Sequence, residues 1–420
     1  RNDNNFFTDI APKVGLDDAE ETRAASWGDF NADGHLDLYI GFTLDEGKPN
    51  RLYRNEGDGQ HFTDVAETYG VDLIGNTRQS SFIDYDNDGD IDLFIAFREQ
   101  PNRLFRNDGN SFTDVSETSG IADPRKSVGV AWFDIDEDGD LDAFVANQNG
   151  DNDAVFINTN GRFKDRATEL GMDGGPRTEE YGGVGPAVTD FDNDGDLDIF
   201  VAMYGPDFLY RKEGNEFTEV GSGSVIGQDY HSTVASWGDF DNDGWQDLFV
   251  ASYLRDIAEV PDHLFRNVGG EFIDVTPEVF LQRGASHGVQ WSDFDGDGDL
   301  DLSLANNNPE AYHPLYENKL SREDSFRSLK VQVLDGNGFH TLPGAEVRLL
   351  ESGSSRMLGT RLVDTGSGYC SQSVMPVHFG LPKGIKKVDV EVTVMTPHGR
   401  RILQRTDVSP EGIVQIRVDN

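Results

Sequence analysis

Six stretches of the chain set carboxylates at alternate positions of a nine-residue window. The first position is Asp29, Asp84, Asp134, Asp190, Asp239 or Asp293, and the third is Asn31, Asp86, Asp136, Asp192, Asp241 or Asp295. The fifth is Asp33, Asp88, Asp138, Asp194, Asp243 or Asp297, and the ninth is Asp37, Asp92, Asp142, Asp198, Asp247 or Asp301. Position six is Gly in all six windows, whose starts lie 49 to 56 residues apart. Four side-chain oxygens at this spacing can converge on one hard cation, and the glycine permits the sharp turn that brings them together. Position seven is His35, Asp90, Asp140, Asp196, Trp245 or Asp299, a variety that fits a ligand donated by the main-chain carbonyl.

The donor set points to calcium, about six ions in all. Every ligand is oxygen, and no paired His or Cys selects a softer metal. An EF-hand would close with Glu at position twelve; here Ile40, Ile95, Val145, Val201, Val250 and Leu304 stand there, so the loop should close into a β-hairpin. Asn31 in the first loop and Gln246 at position eight of the fifth mark the two weakest sites. The loops hold Asp, Asn and Gly, which also populate ordinary turns. Six copies in phase go beyond what turn composition requires.

The elements that must hold these loops repeat with them. A short strand precedes each loop, with Trp27, Trp132, Trp237 and Trp291 in one shared slot, and an apolar strand such as Leu93-Phe-Ile-Ala follows. A third strand reads like Leu104-Phe-Arg-Asn and a fourth like Phe112-Thr-Asp-Val. Four short strands per repeat make one propeller blade. The expectation is an all-β, six-bladed β-propeller over residues 1–320, with the N-terminal strand Phe7–Ile10 completing the last blade and closing the ring. The Trp and Phe positions read as packing between blades. From 326 to 420 the Asp loops stop, and about seven alternating strands predict a small β-sandwich.

Composition limits the functions. The formal charge is −42, but the loops carry much of the acid. No basic patch offers itself to a phosphate backbone, so nucleic acid is not an expected partner. No apolar run is long enough for a membrane span. The single cysteine, Cys370, excludes an intrachain disulfide. The chain opens at Arg1 without Met or an apolar leader, as a processed product would. No catalytic set presents itself, and the reading favours a binder over an enzyme. One cationic group stands out where the first strands begin, at the mouth opposite the loops: Arg23, Arg78, Lys126, Tyr181, His231 and His287. Strand alternation aims Lys126 and His231 the same way as the other three cations. Glu21, Glu179, Glu180 and Asp229 are close enough in sequence to neutralise them.

The repeats resemble FG-GAP/VCBS repeats, the calcium-binding blades also seen in integrin α-chain propellers. The tail resembles the ASPIC/UnbV domain through Ser328-Leu-Lys-Val-Gln-Val, Pro343-Gly-Ala-Glu-Val-Arg-Leu, Gly366-Ser-Gly-Tyr-Cys-Ser-Gln, His378-Phe-Gly-Leu and Pro397-His-Gly399. Together they look like the cartilage acidic protein family. The resemblance implies calcium binding and recognition outside the cell, with an extracellular protein or carbohydrate as partner. His340-Thr-Leu-Pro-Gly-Ala and Thr396-Pro depart from the tail's usual pattern, so any ligand role attached to them does not carry over. No Cys-rich module or Asn-x-Ser/Thr sequon is present, which suggests a secreted, cell-surface or periplasmic protein of a bacterium or archaeon. Two other readings stay open: a subunit of a secreted polymer that self-associates through its C-terminal domain, and an enzyme using the cationic mouth.

Overall fold

The computed structural model describes the chain except residues 3–4, 18–20, 44–46, 222, 256–257, 282–284, 308–311, 367 and 420. It is all-β, with a few single-turn helices. Six antiparallel sheets follow one another along residues 22–316, each built in chain order. The second is typical: Thr77–Ile83, Asp92–Phe97, Arg103–Asn107 and Phe112–Asp114. The acidic nonapeptide is always the turn between the first two strands, which pair in register from Ile83↔Asp92 in sheet two to Ser292↔Asp301 in sheet six.

Successive sheets pack face to face through their inner strands, in a propeller-like arrangement. The contacts are aromatic. Phe94 meets Trp132 of the next sheet at 5.1 Å between ring centroids, Phe200 meets Trp237 at 6.3 Å, and Phe249 meets Trp291 at 6.4 Å. Edge-to-face pairs of this kind add about 0.5–1.5 kcal/mol each beyond the area they bury. Trp132, Phe94 and Phe200 are wholly buried. The expected packing role of these residues is the one they have.

Closure of the ring is not as expected. The sixth sheet has three strands, Ser286–Ser292, Asp301–Asn306 and Leu315–Tyr316. Phe7–Ile10 does not join it among the described residues; instead Asn2 pairs with Phe7 in an isolated bridge, and Phe7 lies on Phe294 of the sixth loop. The Asn2↔Phe7 bridge has the spacing of Asn107↔Phe112, which joins a third strand to a fourth.

The C-terminal region forms two sheets around one apolar core that includes Leu329, Val347, Phe379 and Val390. Ser328–Asp335 lies between Val377–Gly380 and a parallel Ile413–Val418, while Glu346–Glu351 lies between Met357–Leu362 and Val388–Val394, with Arg401–Val408 at the edge. These sheets sit against the loop end of the inner strands. A segment between them, described at residues 364–366 and 368–373, lies along the inner strands of several sheets. Thr365 Oγ1 exchanges hydrogen bonds with the Trp132 backbone, Gly368 N–H donates to the Pro186 carbonyl, and Gln372 bonds both backbone groups of Phe82. Ser371–Gln372 also pairs parallel to Thr22–Gly28.

Candidate metal centres and channel

Each loop is shaped by its own carboxylates. In four loops the position-one Asp accepts N–H groups from positions five and six, as Asp84 does from Asp88 at 3.1 Å and Gly89 at 3.0 Å, and in the sixth Asp293 accepts from positions four and six. The position-nine Asp accepts one N–H from position two and another from the third strand. For Asp142 these are Ile135 at 2.8 Å and Asn158 at 2.6 Å. Positions four and six are left-handed in every copy, which explains Gly at six (φ 96° at Gly89) and Asn87, Asn193 and Asn242 at four. Those asparagines also tie each loop to the next. The Asn87 amide donates to the Gly139 carbonyl and the Asn193 amide to Gly244. This second use of position four was open to a sequence reading, since Asn recurs there, but only the ring shows its partner.

Five loops bring carboxylate oxygens within 4.8 Å of one another: Asp84/Asp86/Asp92, Asp134/Asp136/Asp142, Asp190/Asp192/Asp194, Asp239/Asp241/Asp247 and Asp293/Asp295/Asp297. The first loop forms no such cluster among the described residues; there the Asn31 amide donates to Asp33 at 2.9 Å. The residues present fit a cation. Oδ1 of Asp86, Asp192 and Asp241, all at position three, is buried without a hydrogen-bond donor, as is Oδ1 of Asp134. Burial and like-charge crowding push the carboxylic acids up, to about 7 at Asp84, Asp190 and Asp239, about 8 at Asp37 and about 9 at Asp198. Such crowded, buried carboxylates are the kind of donor set that a divalent cation can neutralise. The position-seven main chain is used alike in every loop whatever the side chain: the N–H of His35, Asp90, Asp140, Asp196, Trp245 and Asp299 each donates to the carboxylate at position five.

The C-terminal sheets reach the loops directly. Lys330 Nζ pairs with Asp293, Arg400 lies 3.5 Å from Asp134 and 3.2 Å from Glu137, and Thr360 N–H donates to Asp190 at 2.9 Å. Nothing in the sequence pattern pointed to these contacts.

At the other end of the channel, a β-bulge interrupts the first strand in each sheet, between Thr22/Ala24, Thr77/Gln79 and Ser286/Gly288 for example. Bulges re-aim side chains. Arg23, Arg78 and His287 are the bulged residues, and they gather around Tyr369 and Cys370, in the segment that lies along the inner strands. Burial and the two guanidiniums hold His287 down at about 4, and burial raises the Cys370 thiol to about 11. Arg98 and Tyr204 join this group, which sequence reasoning missed because they come from second strands. Nε of Arg23 and of Arg78 is buried with no partner among the described residues. His231 stacks on Tyr204 with ring centroids 4.2 Å apart. Lys126 lies 3.9 Å from Asp151. Tyr181 stays at the rim, 40% exposed. In the tail motif, Ser367 lies outside the described residues.

Repeated four-stranded sheets packed through their inner strands, joined by acidic turns that could hold metal ions, define a propeller-like repeat protein. The chain belongs to the FG-GAP-like repeat family, whose pattern matches residues 29–95, 84–145, 134–201, 190–250 and 239–303. It is similar to cartilage acidic protein 1 of Xenopus tropicalis, 29% identical over 387 residues, covering 90% of this chain and 42% of that protein. The human protein of the same name is 29% identical over 268 residues, 61% of this chain and 38% of that one. The chain thus spans about two-fifths of these relatives' length. Among solved structures, an Agrocybe aegerita protein described as recognising non-reducing terminal N-acetylglucosamine overlaps with a TM-score of 0.45 and 17% identity, over 74% of this chain and 84% of that one. The V. cholerae biofilm matrix protein Bap1 overlaps at 0.38 and 12%, over 92% and 66%. No helix among the described residues is long and apolar enough to cross a membrane.

Proposed function

We propose that this protein is a secreted, calcium-stabilised recognition module. In this reading residues 1–320 form the propeller and 326–420 a β-sandwich of the ASPIC/UnbV type that caps its loop face. The observation that carries it is the set of buried, donorless Oδ1 atoms at position three of three loops. Each loop takes one Ca2+, through side chains at positions one, three, five and nine and the carbonyl of position seven. All-oxygen donors on a flexible turn suit calcium better than magnesium, which demands tighter octahedral geometry. The first loop binds most weakly, because Asn31 removes one charge. Extracellular modules of this kind hold calcium with Kd near ~0.1 mM, well above cytosolic levels, so filled sites imply an exported location. The partner is an extracellular protein or carbohydrate met at the open mouth, where Arg23, Arg78 and Arg98 favour anionic groups.

Equilibrium dialysis of calcium-freed protein tests the reading. Binding of five or six Ca2+ per chain below 1 mM is expected, within the affinity range of extracellular modules. Binding of fewer than two at that concentration would sink it. An array of sulfated and uronic-acid glycans probed with and without Arg23→Ala/Arg78→Ala then tests the mouth.

A further inference from the structure

The seam between the first and sixth sheets differs from four of the five other junctions. In those four the third-strand Asn donates to two loop carbonyls, one in its own sheet and one in the sheet before; at the junction of sheets three and four Lys212 takes the Asn slot and pairs with Glu137. Asn107 bonds Ile91 and Phe30, Asn158 bonds Leu141 and Tyr85, Asn267 bonds Gln246 and Phe191, and Asn318 bonds Leu300 and Phe240. If sheet one followed sheet six, Asn55 would bond Phe294. Among the described residues the Asn55 amide bonds only Leu36, and it is Asn2 that donates to the Phe294 carbonyl, at 3.0 Å.

Asn2 therefore stands where the third strand of an additional sheet would end. The rest of the N-terminal segment agrees. The bridge Asn2↔Phe7 has the spacing and register of Asn107↔Phe112 and Asn158↔Phe163. Phe7 packs on Phe294 as Phe112 packs on Phe30 and Phe163 on Tyr85. The single-turn helix Ala11–Val14 with left-handed Gly15 repeats Ala66–Tyr69 with Gly70. Asn2 and Phe7 thus stand where the outer edge of a further sheet would lie.

The inner half of that sheet has a place waiting. Ala96, Ala146, Ala202 and Ala251 face the following sheet and are 0% exposed, whereas Ala305, their counterpart in sheet six, is exposed. Trp132 is edge-on to Phe94 of the preceding sheet; Trp27, across the seam, meets only Phe62 of its own sheet among the described residues. No packing comparable to the other junctions joins Thr22–Gly28 to Ser286–Ser292. The enclosed part of the cleft between them measures about 420 Å³ and is lined by Ala25, Val289, Ser303, Ala305 and Cys370.

We propose that this cleft receives a β-hairpin, the two inner strands of a seventh FG-GAP-like repeat, carried by the same polypeptide immediately ahead of Arg1. Every repeat runs from inner to outer strand, so the strand that ends at Asn2 must be entered from that side. The hairpin buries its apolar face against Trp27 and Ala305, removes the open seam and completes a closed ring.

A graft tests this. Residues 77–105 supply strand, acidic loop, strand and the approach to the third strand, and Phe105 precedes Arg106 as the graft must precede Arg1. Fused ahead of the 420-residue chain, they should raise the melting temperature and add one calcium site. A thiol reagent should label Ala305→Cys at least roughly tenfold more slowly in the graft than in the parent, with Cys370 labelling of the parent as baseline. Labelling is read with and without calcium, so its outcome stands apart from the metal reading. Asn2→Ala/Phe7→Ala should cancel the gain in the graft. Equal labelling in parent and graft, a gain that survives Asn2→Ala/Phe7→Ala, or an equal gain from a scrambled 29-residue graft would overturn the proposal. So would protection of Ala305→Cys in the parent that grows with protein concentration, which would assign the cleft to a second copy.

Discussion

Two substitutions in one loop separate the work a carboxylate does for the metal from the work it does for the turn. Asp136 and Asp142 stand at positions three and nine of the third loop. Asp142 is buried and accepts N–H groups from Ile135 and Asn158 on its two oxygens. An Asn there keeps one acceptor and turns an N–H2 towards the other donor. A buried donor left unmatched costs about 1–3 kcal/mol. Asp136 is exposed, and its carboxylate accepts no backbone N–H of the loop, so Asp136→Asn should leave the metal-free protein nearly unchanged. In 1 mM calcium, a site with Kd near ~0.1 mM contributes about 1.4 kcal/mol. Loss of that ligand should therefore lower the melting temperature by a few degrees, and only in calcium. Asp142→Asn should be destabilised by about 1–3 kcal/mol without calcium and by about 2.5–4.5 kcal/mol with it. Scanning calorimetry of both variants, in calcium and in EDTA, gives the four values. A drop for Asp136→Asn that is the same in EDTA as in calcium would refute the assignment of position three to the metal.

The metal-free protein should also show an inverted pH response. The folded-state pKa values of Asp37, Asp84 and Asp198 lie well above the ordinary carboxylate value, so between about pH 4 and pH 8 the native state holds more protons than the unfolded chain. Stability should fall as pH rises through that window and become nearly flat once calcium is bound; a melting temperature that climbs with pH in the absence of metal counts against it. Gln372→Leu removes the side chain that bonds both backbone groups of Phe82, at 2.6 and 2.8 Å, and should cost about 2–5 kcal/mol in urea unfolding while exposing residues 364–373 to protease. Arg177 is buried beside a fully buried Asp153 at 2.5 Å, so Arg177→Met strands that charge and should cost about 3–5 kcal/mol in the same assay, where an effect under 1 kcal/mol would argue against a buried pair.

The parts legible in the sequence are those fixed by local chemistry and repeated. Asp at positions one and nine, Gly at six and the aromatic slots each depend on contacts within one repeat or with the adjacent one, so six copies of the same environment left six copies of the same residues. Arg23, Arg78 and His287 were legible as a group because they share a slot, yet the bulge that aims them has no signature of its own. The segment along the inner strands was illegible for another reason. Its glycines, at Gly366 and Gly368, meet backbone and amide groups of several different sheets, and contacts between residues more than a hundred apart leave no period to read. The N-terminal strand is the instructive case. Its sequence matched a fourth strand, and counting copies assigned it to the one sheet that lacked a fourth. Counting assumes that every sheet in the ring is represented by its inner strands. The hydrogen bond from Asn2 to Phe294 removes that assumption, because at the four other junctions that carry this Asn the bond to the position-two carbonyl crosses from one sheet to the next. A residue that bonds the sixth loop in this way lies one sheet beyond the sixth. Register between neighbours, unlike a tally of repeats, fixes where in the ring a segment belongs.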